Sequence, residues 1–324
     1  MFEIVFLGTS ASAPSIRRGL PSAVVLHNEQ RFMVDCGEGT QRQLLQSGLG
    51  FKRLDKILLT HGHLDHILGL AGLLSTLMRW ETLEQFTIFG GRSALERVED
   101  LIYRIVLRDA KTAVKLHFTE VKPGQLFEDR SFELSAFSVT HRGSGNFGYL
   151  FREKSHRPFL ADQAEALGVP FGPERKHLVA GKSIVLADGR VIQPDEVLGP
   201  LVEGTTFAMV GDAARIDNLI DPIYGADALV IESTYLNVEA ELAQAYGHLT
   251  ATQAAQLARE AGVQQLILTH VSRRYPERDV LAEARTIFPR TVVARDFDHY
   301  RIMKDKALLR VIDTPAEEES YVSA

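Results

Sequence analysis

The chain has 324 residues and a formal net charge of −6, with 45% hydrophobic and 24% charged residues. This composition is typical of a globular protein with a large core, and no apolar stretch reaches the roughly 20 residues of a membrane helix. The only cysteine, Cys36, excludes an internal disulfide and a thiolate-rich metal site, and we expect it to be inert. Residues 1–7 lack the basic flank of a signal peptide, so we expect a cytoplasmic protein.

Runs of β-branched and aromatic residues predict strands along the chain, at 2–7, 22–27, 31–35, 55–60, 86–89, 131–139, 146–151, 206–210, 227–231, 264–269 and 291–294. Helical spacing of apolar residues predicts helices at 67–80, 92–108, 250–261 and 279–287. Strands dominate the first half, and strands alternate with helices in the second. The pattern predicts an α/β protein of layered sheets covered by helices, in a single domain over 1–304.

Two segments depart from this pattern. Residues 153–204 hold five of the 12 prolines, include the run Gly-Val-Pro-Phe-Gly-Pro at 168–173 and lack a long periodic stretch. Such a segment inside a compact domain is usually functional or mobile, so we interpret it as an insertion. The last 14 residues contain four acids and no Lys or Arg, and we expect 305–324 to form a disordered acidic tail.

The strongest chemical signal is the run His61-Gly62-His63-Leu64-Asp65-His66, between a predicted strand and a predicted helix. His61 and His63 have the period-2 spacing that places two imidazoles on one side of an extended chain. Asp65 and His66 follow where the chain turns into the helix, and can face a second position. Imidazole and carboxylate donors without thiolate suit zinc, with manganese or iron as looser possibilities.

Further metal donors are expected where other predicted strands end. His141, Asp212 and His270 each follow such a strand, and polar residues at strand ends converge on one edge of a sheet. For each of these three residues taken alone, a purely structural role is an equally good interpretation. Together with the run they predict a two-metal site, with Asp212 as the bridge, the first metal on His61, His63 and His141, and the second on Asp65, His66 and His270.

These motifs resemble the metallo-β-lactamase superfamily and, more narrowly, the ribonuclease Z family of tRNA 3′-processing endoribonucleases. The narrower resemblance rests on the 168–173 run and on four further blocks: Asp188-Gly189-Arg190-Val191, Glu232-Ser233-Thr234, His248-Leu249-Thr250 and the segment from Leu268 to Tyr275. It implies an αββα sandwich with a protruding flexible arm. It also implies a zinc-dependent endonuclease, with two zinc ions per chain and manganese as the alternative metal, that removes 3′ trailers from precursor tRNA.

The resemblance assigns catalytic roles to three residues. A water shared by two cations loses its proton near neutral pH, and Asp65 is expected to orient or deprotonate it. His248 is the candidate general acid for the departing ribose 3′-oxygen, because histidine titrates near the working pH. Glu232 is expected to hold the His248 ring. The alternative for His248 is a cap at the start of the helix near Thr250.

The RNA contacts are expected on the insertion and beside His270. The segment 152–190 carries seven basic against five acidic residues, and the resemblance makes it an arm that grips the tRNA backbone. Candidate contacts are Arg175, Lys176, Lys182, Ser272 and Arg274, although surface arginine is an equally good interpretation beside His270. The family also implies a homodimer in which the arm of one subunit serves the other.

Three further residues and two other functions complete the expectations. Asp35 follows a predicted strand and is expected to support a metal-bound histidine, with a helix start as the alternative. The family usually has Thr at the position of Ala213 and a small polar residue at that of Leu249. A phosphodiesterase or sulfatase for small molecules, and a catalytically dead RNA-binding protein, are the competing functions.

Overall fold

The structure, a computed structural model, describes residues 1–80, 84–108 and 110–311. Within these ranges the chain forms two compact units. The sandwich unit holds residues 1–129, 133–152 and those from 205 onward, and the arm unit holds 130–132 and 153–204. The segment that interrupts the sequence pattern lies in the arm unit.

The strands, in chain order, are β1 (Phe2–Gly8), β2 (Ser22–His27), β3 (Gln30–Val34), β4 (Lys56–Leu58), β5 (Gln85–Gly90), β6 (Lys115–Glu120), β7 (Gly124–Glu128), β8 (Phe132–Ser138), β9 (Phe147–Glu153), β10 (Ile184–Val185), β11 (Val191–Ile192), β12 (Thr206–Met209), β13 (Ala228–Glu232), β14 (Leu266–Thr269), β15 (Thr291–Val293), β16 (His299–Ile302) and β17 (Leu309–Val311). The α-helices are α1 (Thr40–Gln46), α2 (Leu64–Ile67), α3 (Gly69–Trp80), α4 (Arg92–Glu99), α5 (Ala161–Ala166), α6 (Pro173–Val179), α7 (Ala240–Tyr246), α8 (Ala251–Glu260) and α9 (Glu277–Arg285).

Two sheets form the centre of the sandwich unit. The first has the order β17-β16-β1-β2-β3-β4-β5-β6, and the second has the order β15-β14-β13-β12-β9-β8-β7. In the first, β3 to β6 run parallel, while β1 pairs antiparallel with β2 and β16. In the second, β12 to β15 run parallel. Parallel neighbours place the ends of several strands at the same edge of each sheet.

Aromatic side chains fill the space between the two sheets. Phe2 of the first sheet lies 5.2 Å from Phe207 of the second, measured between ring centroids. Phe151 and Phe207 stack at 4.7 Å, and Phe32 meets Phe151 edge-on at 5.9 Å. Burial of such rings contributes strongly to a core, so the facing sheets form one apolar interior.

Helices cover the outer faces. Leu70, Leu73, Leu74 and Leu77 of α3 are buried at helical spacing against the first sheet. The second sheet is covered by α8 and α9, whose small residues permit close packing. The order helix, sheet, sheet, helix is the αββα sandwich, so the predicted fold class is confirmed.

Several elements differ from the expectations. The predicted helix over 92–108 is α-helical only to Glu99 and continues as a π-helix over Asp100–Leu107. Neither β16 nor β17 was predicted. Strand β17 lies in the segment expected to be a disordered tail from residue 305, and it pairs antiparallel with β16. Those residues therefore extend the edge of the first sheet. The rest of the expected tail, 312–324, lies outside the described residues.

The arm unit has a small core of its own. Its buried residues are Ala164, Val169, Leu178, Ile184, Ile192 and Val197. Four of them come from α5, α6 and the β10–β11 hairpin, elements too short for the sequence pattern to reveal, and Val169 and Val197 lie in the connecting segments. Across both units, no helix among the described residues is long and apolar enough to cross a membrane.

Candidate metal centre

The predicted metal donors lie just beyond the ends of strands in the sandwich unit. The run 61–66 follows β4, His141 follows β8, Asp212 follows β12, and His270 directly follows β14. Their donor atoms form two groups: His61, His63, His141 and Asp212 in the first, and Asp65, His66 and His270 in the second. The structure thus brings all seven predicted residues together.

The first group is built around the Oδ2 atom of Asp212. This oxygen lies 3.6 Å from Nε2 of His61 and 3.8 Å from Nε2 of His141. The Nδ1 atom of His63 lies 2.9 Å from Nε2 of His61 and 3.3 Å from Nε2 of His141. Ligand atoms of a tetrahedral zinc with bonds of about 2.0–2.1 Å are spaced by roughly 3.3 Å, so these donors are suitably close.

The second group is built around the other oxygen of the same carboxylate. Oδ1 of Asp212 lies 3.5 Å from Nε2 of His66 and 3.3 Å from Nε2 of His270. Oδ2 of Asp65 lies 3.7 Å and 3.6 Å from the same two nitrogens. Each carboxylate oxygen of Asp212 therefore faces a different donor group, as the predicted bridging role requires.

The outward ring nitrogens of the histidines are held by the protein. Nδ1 of His61 donates to Thr60 Oγ1 at 3.0 Å, and Nδ1 of His141 donates to the carbonyl of Gly247 at 2.7 Å. Nδ1 of His270 donates to Thr234 Oγ1 at 2.8 Å. Each bond leaves Nε2 facing the centre, and such partners orient metal-binding imidazoles. Sequence reasoning missed both threonines, whose only signal is a hydroxyl next to a strand end.

Asp35 supports His66 as expected. Its Oδ2 accepts a hydrogen bond from Nδ1 of His66 at 2.7 Å and one from Thr60 Oγ1, also at 2.7 Å. Helix α1 begins later, at Thr40, so the alternative role at a helix start is wrong. Asp35 has φ = 57°, a conformation that aspartate adopts more readily than most residues other than glycine. Cys36 beside it is buried, and burial raises the pKa of its thiol.

Protonation of the first donor group also fits cation binding. Burial, with a smaller effect of neighbouring imidazoles, lowers the pKa values of His61, His63 and His141, so their rings are neutral. Burial acts to raise the pKa of Asp212, but the surrounding histidines outweigh it and hold that pKa well below its usual range. Neutral imidazoles and an ionised carboxylate are the forms that bind metal. In the second group, burial acts to lower the pKa of His66, but Asp212 and Asp35 outweigh it and raise that pKa, so a cation there would displace a proton.

Six buried side-chain atoms in the described part of the chain have no hydrogen-bond partner, and three of them lie at the centre. These three are Nε2 of His66, Nε2 of His270 and Oδ1 of Asp212, all in the second group. Unsatisfied buried polar atoms are costly, and here they point at one another. A divalent cation would satisfy all three at once, so the donor set fits a metal ion.

His248 and Glu232 form a pair beside the centre. Nδ1 of His248 lies 3.1 Å from Oε1 of Glu232, which is fully buried at the end of β13. Glu232 also accepts the backbone N–H of Ala213 at 2.7 Å and the hydroxyl of Thr234. Burial acts to lower the pKa of His248, but the charge and hydrogen bond of Glu232 outweigh it and raise this pKa to about 9. The ring is therefore charged at neutral pH.

Helix α8 is capped by Thr250, not by His248. The Thr250 hydroxyl accepts the N–H of Gln253, and the Gln253 side chain bonds back to the Thr250 N–H. The alternative role of His248 as a helix cap is therefore wrong.

The predicted RNA contacts beside His270 are engaged within the protein. Arg274 forms an ion pair with Glu239 at 2.6 Å, and its backbone N–H donates to Ser272 Oγ at 3.3 Å. Arg273, between these two residues, is exposed and forms no ion pair with the described residues.

The predicted contacts in the arm unit divide into two kinds. Arg175 donates to the carbonyls of Val169 and Pro170 at 3.2 Å and lies 3.8 Å from the centre of the Phe171 ring. It therefore stabilises the turn that contains the Gly-Pro run. Lys176 and Lys182 are exposed and form no ion pair with the described residues.

Comparison with known proteins identifies the family. The curated ribonuclease Z of Bradyrhizobium sp. (strain ORS 278) is 45% identical over 305 residues, covering 93% of this chain and 100% of the relative. That of Listeria monocytogenes serovar 1/2a is 38% identical, covering 93% and 99%. The chain belongs to the ribonuclease Z family. It is an enzyme of the endoribonuclease class.

Family models and solved structures agree on the fold. The model described as anti-Pycsar protein Apyc1 matches residues 2–164, and that of the beta-lactamase superfamily domain matches 180–271. Human tRNase Z, short form, has a TM-score of 0.65 at 24% identity, covering 93% of this chain and 99% of its own. The metallo-β-lactamase fold protein YhfI from Bacillus subtilis has a TM-score of 0.66 at 18% identity, covering 92% and 98%.

Proposed function

We propose that this ribonuclease Z family member is a zinc-dependent endonuclease that removes 3′ trailers from precursor tRNA and leaves a 3′-hydroxyl on the tRNA. The observation that carries the two-metal part is the Asp212 carboxylate, whose oxygens face two separate donor groups. Imidazole and carboxylate donors suit zinc, with manganese as the second candidate. Family membership supports precursor tRNA as the substrate and hence a cytoplasmic location.

Asp65 is proposed to orient the attacking water. Cations held by the two donor groups would lower the pKa of a bound water and offset charge on the phosphate oxygens. Oδ2 of Asp65 accepts the backbone N–H of Ser12 at 3.1 Å and faces the second donor group. Burial acts to raise the pKa of Asp65, but the nearby imidazoles of His270 and His66 outweigh it and lower that pKa. Asp65 therefore remains an ionised acceptor.

His248 is proposed as the general acid. Glu232 keeps it protonated, and the ring lies at the centre, with Nδ1 3.7 Å from Oδ2 of Asp212. Nδ1 is occupied by Glu232, so Nε2 is the atom that delivers a proton. The acceptor is the ribose 3′-oxygen, which leaves phosphorus as the water attacks.

The arm unit is proposed to hold the tRNA body. Lys176 and Lys182 offer charge to phosphates without competing carboxylates. Arg175 is proposed to act mainly by keeping the turn at 168–173 in place. Of the contacts expected beside His270, Ser272 and Arg274 are proposed to shape that segment.

We propose that the enzyme is a homodimer in which each arm serves the partner's site. An apolar groove of about 480 Å³ lies next to the metal run, and Leu64, Leu68 and Ile105 are exposed along it. Exposed apolar patches of this kind mark interaction surfaces. Ile105→Glu should convert the dimer to a monomer in sedimentation experiments. A wild-type protein that sediments as a monomer would contradict this assembly.

The decisive experiment gives the purified enzyme a 3′-extended precursor tRNA and, separately, bis(p-nitrophenyl) phosphate, with Zn²⁺ or Mn²⁺. We expect cleavage of the RNA at the tRNA boundary, with a 3′-hydroxyl on the tRNA and a 5′-phosphate on the trailer. Hydrolysis of the small ester alone would instead support the small-molecule phosphodiesterase. Binding of RNA without hydrolysis of either substrate would support the catalytically dead binding protein.

A further inference from the structure

The proposed general acid, His248, lies on a short connection between two helices. Helix α7 ends at Tyr246, and α8 begins at Ala251. On the α8 side the connection is firmly fixed, because Leu249 is fully buried and its carbonyl accepts the backbone N–H of Tyr235 at 3.2 Å. On the other side, the His248 backbone follows directly from the end of α7.

Helix α7 has little hold on the core of the sandwich unit. All seven of its residues are described, and only Ala243 among them is buried. The helix closes on Gly247, whose φ of 71° is the left-handed conformation that favours glycine. The backbone N–H of His248 then donates back to the Ala243 carbonyl at 2.9 Å. The His248 backbone is thus bonded to a helix that needs support from outside.

Two neighbouring residues after β8 supply that support. Nδ1 of His141 donates to the Gly247 carbonyl at 2.7 Å. The guanidinium of Arg142 donates to the Ala245 carbonyl at 2.9 Å, and its central carbon lies 5.1 Å from the centre of the Tyr246 ring. A Cβ atom placed on Gly247 would lie 3.4 Å from Cγ of Arg142, so the arginine also packs along the turn itself.

The contacts of Arg142 suit the end of a helix. The last carbonyls of a helix lack partners within it and carry partial negative charge, which a guanidinium satisfies and offsets. A cation over a tyrosine ring adds a second attraction in the same place. Arg142 forms no ion pair within the described part of the chain, so no carboxylate draws it away from α7.

We propose that Arg142 is a positioning residue for the general acid, because it holds the end of α7 and thereby keeps the His248 ring against Glu232 and facing the leaving oxygen. This inference rests on the proposed function, in which His248 protonates the ribose 3′-oxygen. The bond between His248 and Glu232 is 3.1 Å long, so a small displacement of the connection weakens it. Arg142 takes no part in the proton transfer and acts through the backbone of His248.

The test uses two substrates whose leaving groups differ. The ribose oxygen is strongly basic and needs a proton as it leaves, whereas nitrophenolate spreads its charge over the ring and leaves without one. For Arg142→Ala we expect kcat on precursor tRNA to fall roughly ten- to a hundredfold, the range for a misplaced reacting group. The KM for precursor tRNA, the rate on bis(p-nitrophenyl) phosphate and the metal content should all stay close to wild type.

Further variants separate the guanidinium from the ring. Arg142→Lys should recover part of the loss, because an ammonium can still donate to the carbonyl and lie over the ring. Tyr246→Phe should behave like wild type, since the ring itself makes the contact. Tyr246→Ala should slow precursor tRNA cleavage less than Arg142→Ala, and the double alanine variant should be about as slow as Arg142→Ala.

The matched control is Arg92→Ala. Arg92 is an exposed arginine at the start of α4 that pairs with Glu96 one turn further along the same helix. An exposed ion pair of this kind contributes little, so both substrates should be cleaved at wild-type rates.

Three outcomes would overturn the inference. An unchanged kcat on precursor tRNA in Arg142→Ala would mean that the end of α7 does not need the arginine. A raised KM with unchanged kcat would make Arg142 a substrate contact. An equal loss on both substrates, or a loss of metal, would mean that the change acts through the donor His141. Failure of the proposed function is a different result, because the wild-type enzyme would then leave precursor tRNA uncut or His248→Ala would cut it at the wild-type rate.

Discussion

The candidate metal centre and the arm unit use polar residues in opposite ways. In the centre, buried histidines and carboxylates each have a fixed partner or face the cation positions. In the arm unit, basic residues lie on the surface around a core of six buried residues. The side chains proposed to carry out the chemistry are therefore fixed in position, whereas the arm unit, which is proposed to hold a large substrate, presents accessible positive charge.

The largest expected effect comes from removing the carboxylate that joins the two donor groups. Asp212→Ala should abolish binding of both cations and reduce rates on precursor tRNA and the small ester by a factor on the order of 1,000 or more. Metal analysis of the purified protein should fall from two ions per chain. Retention of both ions would mean that Asp212 does not bridge them.

His248→Ala should slow chemistry without emptying the site. We expect kcat to fall roughly 100- to 10,000-fold on precursor tRNA, the range for loss of a general acid. Metal content should stay at two ions per chain. Loss of metal in this variant would make His248 a ligand, in line with its place near Asp212 and His270.

The arm unit should matter for only one of the two substrates. A Cβ atom on Gly204 would lie 2.1 Å from the Glu153 carbonyl, so the two ends of the segment adjoin and a short Gly-Ser linker can replace residues 154–203. Cleavage of precursor tRNA should fall on the order of 100-fold or more, because many phosphate contacts are lost. Hydrolysis of the small ester should change little. An equal loss on both substrates would show a structural role.

Glu232→Gln should shift the pH profile of kcat. A raised pKa keeps His248 protonated below about 9, and the acid form is lost as pH rises through that value. Glutamine removes the charge that raises this pKa, so the basic limb should move to lower pH. Rates near pH 6 should fall less than rates near pH 8. An unshifted basic limb would assign it to another group.

The smallest expected effect separates two neighbouring basic residues of the arm unit. Arg175→Ala should lower stability by ~1 kcal/mol, through lost carbonyl bonds and stacking on Phe171. Lys176→Ala should leave stability unchanged and raise KM for precursor tRNA. Thermal unfolding and steady-state kinetics on both variants provide the comparison, and a reversed pattern would exchange their roles.

The metal donors could be predicted because their signals are local. Three histidines and an aspartate within six residues, followed by polar residues at strand ends, indicate the chemistry before any folding is considered. Thr60 and Thr234 could not be predicted in this way. The Thr234 hydroxyl meets His270 only because β13 and β14 lie side by side, and the Thr60 hydroxyl, although next to His61 in sequence, is held by Asp35 from the end of another strand.

The elements that were missed have weak or misleading patterns. Strands β6 and β7 are largely exposed, so they lack the apolar runs that predicted the buried strands. Helices α5 and α6 have six and seven residues, too few for a clear period. The change from α4 to a π-helix keeps an amphipathic pattern, so apolar spacing alone does not reveal the widened turns.

The spread of the donors along the chain has a consequence for biosynthesis. His61 and His270 are separated by more than two hundred residues, and β14, which carries His270 at its end, must pair with β13 and β15 before the second donor group closes. Contacts between such distant segments form late in folding. A nascent chain that has not yet exposed β14 to β15 outside the ribosome holds only part of the donor set. Under the proposed two-metal function, uptake of two cations would therefore report that translation has passed β15, because an unfinished chain lacks part of the donor set.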